Sequence, residues 1–568
     1  MAFPPLTRTE MSQRGWDRCD IILVSGDAYV DHPSFGTAVI ARVLEAEGFR
    51  VGVIAQPDWR SAEDFKKLGR PRLFFGVSSG NIDSMLHHYT ANRKLRHDDP
   101  YSPGGRHGLR PNRAVIVYCN RLRQSWPEVP LVLGGIEASL RRLAHYDYWD
   151  DAVRRSLLFD SRADILVYGM GERPVVEIAR RLAAGQKIQE IRNIPGTAVS
   201  VSVREWEGMR AGAEYLELPS YEQVSQDRAA FNTAQRLYDL ECRPRRRRVV
   251  QRHSDRFLIV NPPAEPLTIS EMDRIYGLPF SRKAHPLYRE PIPALETVRW
   301  SIVSHRGCYG GCSFCSLYYH QGPAIQSRSL RSIVAEAERL SRNPEFRGTI
   351  TDIGGPTANM YGTGCRRGAG EGRCPRPSCL IPTPCRLLNT DQSSSLRVWQ
   401  AVLKLPGVKR VYVASGVRHD LALLDERYLT ELVQKHTGGH LKVAPEHCVE
   451  RVLNLMRKPG AEVFLRFLDK FRELSRKEQY LIPYLISSHP GTTYEDMLRL
   501  RDFLRRHRLR VEQVQDFIPL PLTDSAAMYY TGRDPIRGGE VFVERSARGK
   551  LRQRYSIVSQ GTESWEGG

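Results

Sequence analysis

Residues 305–316 read HRGCYGGCSFCS, and three cysteines at C-x3-C-x2-C spacing in one tight loop constrain this chain more than any other feature. The loop comes directly after an apolar strand candidate, Val298–Ser304. Gly307, Gly310 and Gly311 let the backbone wrap closely, because glycine tolerates conformations that other residues resist. Three thiolates in such a loop can hold three corners of an iron–sulfur cube and leave the fourth iron without a protein ligand. An open coordination position lets a metal site bind a reactant instead of only bracing the fold, as in catalytic zinc. The competing assignment is a structural zinc site, although zinc ribbons favour paired C-x2-C hooks and four closed ligands.

The surroundings of the loop favour a catalytic setting. From Glu296 onward, strand candidates recur at 298–304, 348–354, 408–415, 441–444, 480–487 and 511–518. Amphipathic helices separate them, one with Ile333, Val334, Ala337 and Leu340 on a face. A second carries Val463, Phe464, Phe467, Leu468, Phe471 and Leu474, and a third carries Met497, Leu500, Phe503 and Leu504. Strand–helix alternation of this length predicts an incomplete, TIM-like (β/α)6 barrel over 296–522, with chemistry at the C-terminal strand ends.

Residues 1–200 predict a second α/β unit, a Rossmann-like open sheet. Asp20–Gly26, the helix Phe35–Gly48 and Val51–Gln56 make a βαβ unit. Further buried strands are expected at 73–78, 114–119, 131–135 and 164–169, with a helix over 174–184. The Arg-, Glu- and Pro-rich stretch 201–295 reads as a connecting region with local helices. Residues 523–568 read as a weakly structured basic extension.

The formal charge of +20 would suit a polyanion such as nucleic acid. However, the arginines are scattered, and only Arg243 with Arg245–Arg248 form a dense run. No segment has the length and apolarity of a membrane span, and residues 1–20 lack the apolar core of a signal peptide. The expectation is a cytoplasmic protein. Of the eleven cysteines, seven lie within 308–385, which argues for metal ligation over disulfides.

C-x3-C-x2-C with an aromatic residue, Phe314, before the last cysteine resembles the defining motif of the radical S-adenosylmethionine (SAM) superfamily. The strings GGPTANMYG, CPRPSCLIPTPC, ASGVRHD, KVAPEHC and QDFIPLP resemble the YgiQ-like family within it, as do SGDAYVDHPSFG and GGIEAS near the N-terminus. The resemblance implies a radical SAM barrel whose [4Fe–4S] cluster is held by Cys308, Cys312 and Cys315. It also implies reductive cleavage of SAM to a 5′-deoxyadenosyl radical that modifies a substrate the family does not identify. Phe314 would lie beside the adenine. Gly354 and Gly355, Ser415 and Glu446 would contact SAM at successive strand ends, with Pro356 where relatives carry an acidic residue. An electron donor such as flavodoxin or ferredoxin is implied.

Cys365, Cys374, Cys379 and Cys385 fall in a Pro- and Gly-rich insertion, 356–390, long enough to need bracing. A second zinc or iron–sulfur site is expected there, pinning a lid on the active-site face. The N-terminal unit resembles cobalamin-binding domains of the superfamily. Its Asp31-His32 places histidine directly after aspartate, whereas the cobalt-ligating motif is Asp-x-His-x-x-Gly, so no histidine ligation of cobalt is expected. Binding without a protein ligand stays open, and the expectation is a substrate-binding or docking domain without cobalamin. RNA is the substrate class to test first, on charge. The alternative from a different class is a zinc-stabilised nucleic-acid-binding protein without catalysis.

Overall fold

The computed structural model describes residues 3–211, 214–241, 247–367, 374, 376–475, 478–511 and 513–558. The chain forms two compact units, Met1–Glu265 with Arg274–Arg299, and Pro266–Asp273 with Trp300–Gly568.

The first unit is built on a nine-stranded sheet. Its strands are β1 (Ile21–Ser25), β2 (Val51–Ala55), β3 (Phe74–Ser78), β4 (Leu131–Leu133), β5 (Ile165–Val167), β6 (Thr197–Ser202), β7 (Tyr215–Leu218), β8 (Arg248–His253) and β9 (Arg256–Val260). Strands β2-β1-β3-β4-β5 lie side by side and parallel. This is the doubly wound order whose crevice opens between β1 and β3. All five residues of β1 are buried, which is why its sequence is a continuous apolar run and not an alternation. The helix Gly36–Ala46 covers it with Ala38, Val39, Ala41, Val43 and Leu44.

Two expectations about this unit are corrected. Residues 114–119 are not a strand but the first half of a helix, Ala114–Ser125. Its buried positions are Ala114, Val115, Tyr118, Cys119 and Leu122, a helical spacing that shows only when the run is followed through Leu122. The expected connecting region 201–295 is corrected as well: its described residues up to 265 belong to the sheet unit. β6 pairs antiparallel with β5, β9 antiparallel with β6 and β8 antiparallel with β9, and β7 closes the sheet parallel to β8. The apolar runs at 249–250 and 257–260 were obscured by surrounding arginines. Of the basic run, Arg243, Arg245 and Arg246 lie outside the described residues.

The second unit carries β10 (Ser301–Val303), β11 (Thr349–Ile350), β12 (Asp352–Gly354), β13 (Arg410–Val411), β14 (His440–Glu446), β15 (Tyr480–Ser487) and β16 (Gln513–Asp516). β11 and β12 are consecutive pieces of one strand separated by Thr351. β10 pairs with β12 and β11 with β13, Val417 bridges Val443 of β14, and β14, β15 and β16 follow, every pairing parallel. Six strands thus stand side by side in chain order, the (β/α)6 arrangement the sequence predicts. Helices Leu330–Ser341, Ser393–Leu403, Glu426–Lys435, Ala461–Leu474 and Tyr494–Arg506 connect them. The core is formed by Ile302, Ile350, Ile353, Val411 and Val443 from the strands against Ile333, Val402, Leu432, Phe467 and Phe471 from the helices.

The expected extension 523–568 is not weakly structured over its described residues, 523–558, and residues 559–568 lie outside them. Helix Asp524–Thr531 is almost wholly buried, and Ala547–Val558 packs Ile557 on Leu485, Met497, Leu500 and Leu504. Gln553 accepts from the Ser488 N–H at 2.9 Å and donates to the Thr492 carbonyl at 3.0 Å. No helix among the described residues is long and apolar enough to cross a membrane.

Candidate active site

The cysteine loop leaves the C-terminal end of β10, where barrel chemistry is expected. His305–Arg306 pairs antiparallel with Gln326–Ser327, and this clasp closes a loop containing all three thiols. Gly307 sits at φ +88°, and its N–H donates to Gln321 Oε1 at 3.0 Å. The Cys308 N–H donates to the Gly322 carbonyl at 3.1 Å, and the Cys315 N–H donates to the Cys312 carbonyl at 3.2 Å.

Burial pushes the Cys315 thiol up to about 12, and the charges of Cys312 and Cys308 add to the effect. Burial and Cys312 likewise raise Cys308. Burial and the neighbouring sulfur charge thus disfavour the Cys308 and Cys315 thiolates, a condition a cationic cluster relieves. Among the described residues, no three His, Cys, Asp or Glu side chains are already arranged as a metal cage, and that holds for this trio as well. The fit rests on the donor set: three soft thiolates in one half-buried loop.

The middle of the loop is anchored by segments that follow the fourth, fifth and sixth strands. The Ser313 N–H donates to the Met456 carbonyl at 3.1 Å, and the Ser525 N–H donates to the Ser313 carbonyl at 3.0 Å. His489 Nδ1 lies 2.8 Å from the Pro490 carbonyl, which can only accept, so Nδ1 carries the proton. His489 Nε2, 2.7 Å from Ser525 Oγ, then accepts from that hydroxyl. The Ser313 hydroxyl in turn donates to Ser525 Oγ at 2.8 Å. Burial holds His489 at about 3, hence neutral, as the chain of bonds requires. Phe314 meets the His489 ring edge-on, with centroids 6.0 Å apart.

The insertion packs on the same loop. The Ser378 hydroxyl donates to the Gly310 carbonyl at 2.7 Å, the Cys379 N–H donates to the Tyr309 carbonyl at 3.3 Å, and the Tyr309 hydroxyl pairs with Thr363 Oγ1 at 2.9 Å. Gly364–Cys365 pairs antiparallel with Leu388–Asn389, joining the two ends of the insertion. Burial pushes the Cys379 thiol up to about 12, followed by the charges of Cys374, Cys365 and Cys385, so the four expected thiols share one neighbourhood. They too are not arranged as a ready cage. Residues 368–373 and 375 of the expected insertion lie outside the described residues.

The expected SAM-contacting residues fall at successive strand ends. Asp352 accepts from the N–H groups of Ala414 at 2.9 Å and Ser415 at 3.1 Å, and from the Ser415 hydroxyl. A Cβ on Gly354 would strike Ser415 Oγ and come within 2.9 Å of Asp352 Oδ2, so any side chain there would have to displace this pair. A Cβ on Gly355 would lie 2.7 Å from the His305 ring. Glu446 ends β14 in the left-handed region at φ +68°, a conformation costing about 1–3 kcal/mol that tends to persist at functional sites. Its carboxylate is buried 3.3 Å from Lys458 Nζ; burial raises its pKa while Lys458 opposes the shift.

Sequence reasoning missed Arg418. Its NH1 donates to Cys312 Sγ at 3.7 Å, while Nε and NH2 grip the two Asp420 oxygens at 3.0 and 2.6 Å. Its backbone is clamped by Asn359, whose side chain accepts from the Arg418 N–H at 3.0 Å and donates to its carbonyl at 2.8 Å. Arg418 and Asp420 lie in the string ASGVRHD, yet spacing alone carries no sign of the contact with Cys312. Asp352, Lys458 and Ser525 were missed for the same reason.

In the first unit, His32 is fully buried. Its Nδ1 accepts from the Ser34 N–H at 3.0 Å, and its Nε2 lies 3.0 Å from Arg282 NH1. Asp31 takes a bidentate pair from Arg42 at 3.0 and 2.6 Å. Both residues are thus engaged within their own unit. Arg110, Arg142 and Arg328 are fully buried, so part of the positive charge is structural.

A family model described as Radical SAM N-terminal matches residues 3–301, and one described as Radical SAM superfamily matches 302–504. A UPF0313 protein of Geobacter sulfurreducens is 55% identical over 562 residues, covering 98% of this chain and 92% of that protein. The UPF0313 protein YgiQ of Escherichia coli is 47% identical over 624 residues, covering 99% and 84%. Among solved structures, the radical SAM methyltransferase TsrM of Kitasatospora setae with cobalamin and a [4Fe–4S] cluster bound aligns at TM-score 0.49 and 16% identity, covering 89% of this chain and 77% of that one. The cobalamin-dependent radical enzyme OxsB with aqua-cobalamin bound aligns at 0.48 and 10%, covering 90% and 55%. The expectation that cobalamin is absent finds no support in these comparisons.

Proposed function

We propose that this chain, which belongs to the radical SAM superfamily and to its UPF0313 YgiQ-like family, reductively cleaves SAM and uses the resulting radical to modify a substrate. The observation that carries the reading is the loop of Cys308, Cys312 and Cys315 at the C-terminal end of the first of six parallel strands, three soft donors within one clasped loop. A [4Fe–4S] cluster on these thiolates would supply the electron that cleaves the sulfonium.

The protein's own contributions are positional. Ser313, Ser525 and His489 fix the loop backbone. Phe314 is the aromatic face for the adenine. The strand end at Gly354 and Gly355 is proposed to meet the amino acid portion of SAM, and Asp352 holds Ser415 beside it. Glu446 and Lys458 offer a buried charged pair at the next strand end. Flavodoxin or ferredoxin is the proposed reductant. A second metal, zinc or iron–sulfur, is proposed for Cys365, Cys374, Cys379 and Cys385. RNA is the first substrate class to test, on the charge of +20.

The test is anaerobic reconstitution with iron and sulfide, then dithionite and SAM with assay of 5′-deoxyadenosine. A brown protein that makes deoxyadenosine, and loses that activity in Cys308→Ala, Cys312→Ala and Cys315→Ala, supports the reading. A colourless zinc protein without SAM cleavage overturns it in favour of a nucleic-acid-binding protein.

A further inference from the structure

We infer that Arg418 sets how readily the cluster held by Cys308, Cys312 and Cys315 accepts an electron, with Asp420 as the counter-charge that tempers it; the inference rests on the function proposed above. Three observations converge. The guanidinium NH1 donates to Cys312 Sγ at 3.7 Å. The residue facing it in the loop is Gly310, where a Cβ would lie 2.8 Å from the same NH1, so the loop is shaped to admit the guanidinium. The charge cannot swing away, because Asp420 fixes one edge of the fork and Asn359 fixes the backbone. Asn359 is itself buried and held by Gln392, whose Nε2 donates to the Asn359 carbonyl at 3.0 Å.

Hydrogen bonds to ligand sulfur, together with local net charge, set the potential of an iron–sulfur centre. On reduction the cluster takes one electron from a low-potential one-electron donor, no bond is made or broken, and no proton moves. Its charge falls by one unit, so a neighbouring cation stabilises the reduced form more than the oxidised one. Arginine keeps its proton throughout the accessible pH range, which makes it a constant bias and not a switch. Asp420 masks part of that bias. Removing the cation and removing its mask should therefore move the potential in opposite directions, whereas a general loosening of the loop would move both the same way.

The experiment compares reconstituted full-length wild type with Arg418→Gln, Arg418→Lys and Asp420→Asn. Iron and sulfide content is measured first, followed by a mediated redox titration read by electron paramagnetic resonance of the reduced cluster. Arg418→Gln is expected to make reduction about tenfold harder, a fall of about 59 mV for a one-electron couple. Asp420→Asn is expected to shift it by a similar factor the other way, with Arg418→Lys between Arg418→Gln and wild type. Where Arg418→Gln does not fold, Arg418→Lys and Asp420→Asn carry the same comparison. Equal potentials in variants with wild-type cluster content, or shifts of one sign in all of them, overturn the inference and leave the proposed function standing. A wild-type chain that assembles no cluster overturns both.

Discussion

Ser525 Oγ stands 2.8 Å from Ser313 Oγ and 2.7 Å from His489 Nε2, so one hydroxyl joins the middle of the cysteine loop to the end of the fifth barrel strand. Its own proton goes to the histidine, and its lone pair takes the proton of Ser313.

Replacing Ser525 with alanine leaves a buried imidazole nitrogen and a buried hydroxyl without partners, at a cost of about 1–3 kcal/mol. The Ser525→Ala chain should unfold at lower denaturant and retain less iron after reconstitution. Unchanged iron content together with an unchanged urea midpoint would mean that this junction does not hold the loop.

Gly354→Ala places a methyl against the Ser415 hydroxyl and the Asp352 carboxylate. Cluster assembly should survive, because the cysteine loop lies on the preceding strand. SAM affinity, measured by calorimetry on the reconstituted protein, should fall at least tenfold. A wild-type affinity in this variant would exclude the second strand end from the SAM site.

The four thiols of the insertion are tested by metal content. Cys379→Ser should lower bound zinc, or iron beyond four per chain, without affecting the spectrum of the cluster on Cys308, Cys312 and Cys315. Metal analysis identical to wild type would leave the insertion braced by packing alone.

Acid should destabilise the barrel unit before most of its carboxylates titrate. Burial lowers His305 and His447 to about 4, and His419 and His489 to about 3. An unfolded histidine titrates near 6.5, so below that pH the unfolded chain binds protons that the folded one refuses. Stability is full above about pH 6.5 and falls on acidification by about 1.4 kcal/mol per pH unit for each such histidine, down to its folded value. Asp420 acts in a lower window. Burial alone would raise its carboxyl, but Arg418 overrides this and holds it at about 2, so its contribution is present above about pH 4 and is lost between there and pH 2. A urea midpoint that does not move between pH 7 and pH 5 would contradict the buried, neutral histidines.

Local pattern in the chain was enough for most of the barrel elements and for the thiol donor set. Periodicity reports burial over one helix or one strand, which is why the helices centred on Ile333, Phe467 and Leu500 and the strand Tyr480–Ser487 were legible. The thiol spacing likewise lies within a single loop. Where a run is short, the signal is ambiguous, and Ala114–Cys119 became a helix because the pattern continues to Leu122. Tertiary structure alone decided which polar groups surround the thiols. Arg418 is 106 residues from Cys312 in the chain, and Ser525 is 212 residues from Ser313. Such partners meet because parallel strands bring their C-terminal ends together on one rim, and no local pattern in a sequence encodes which loop side chains will face one another there.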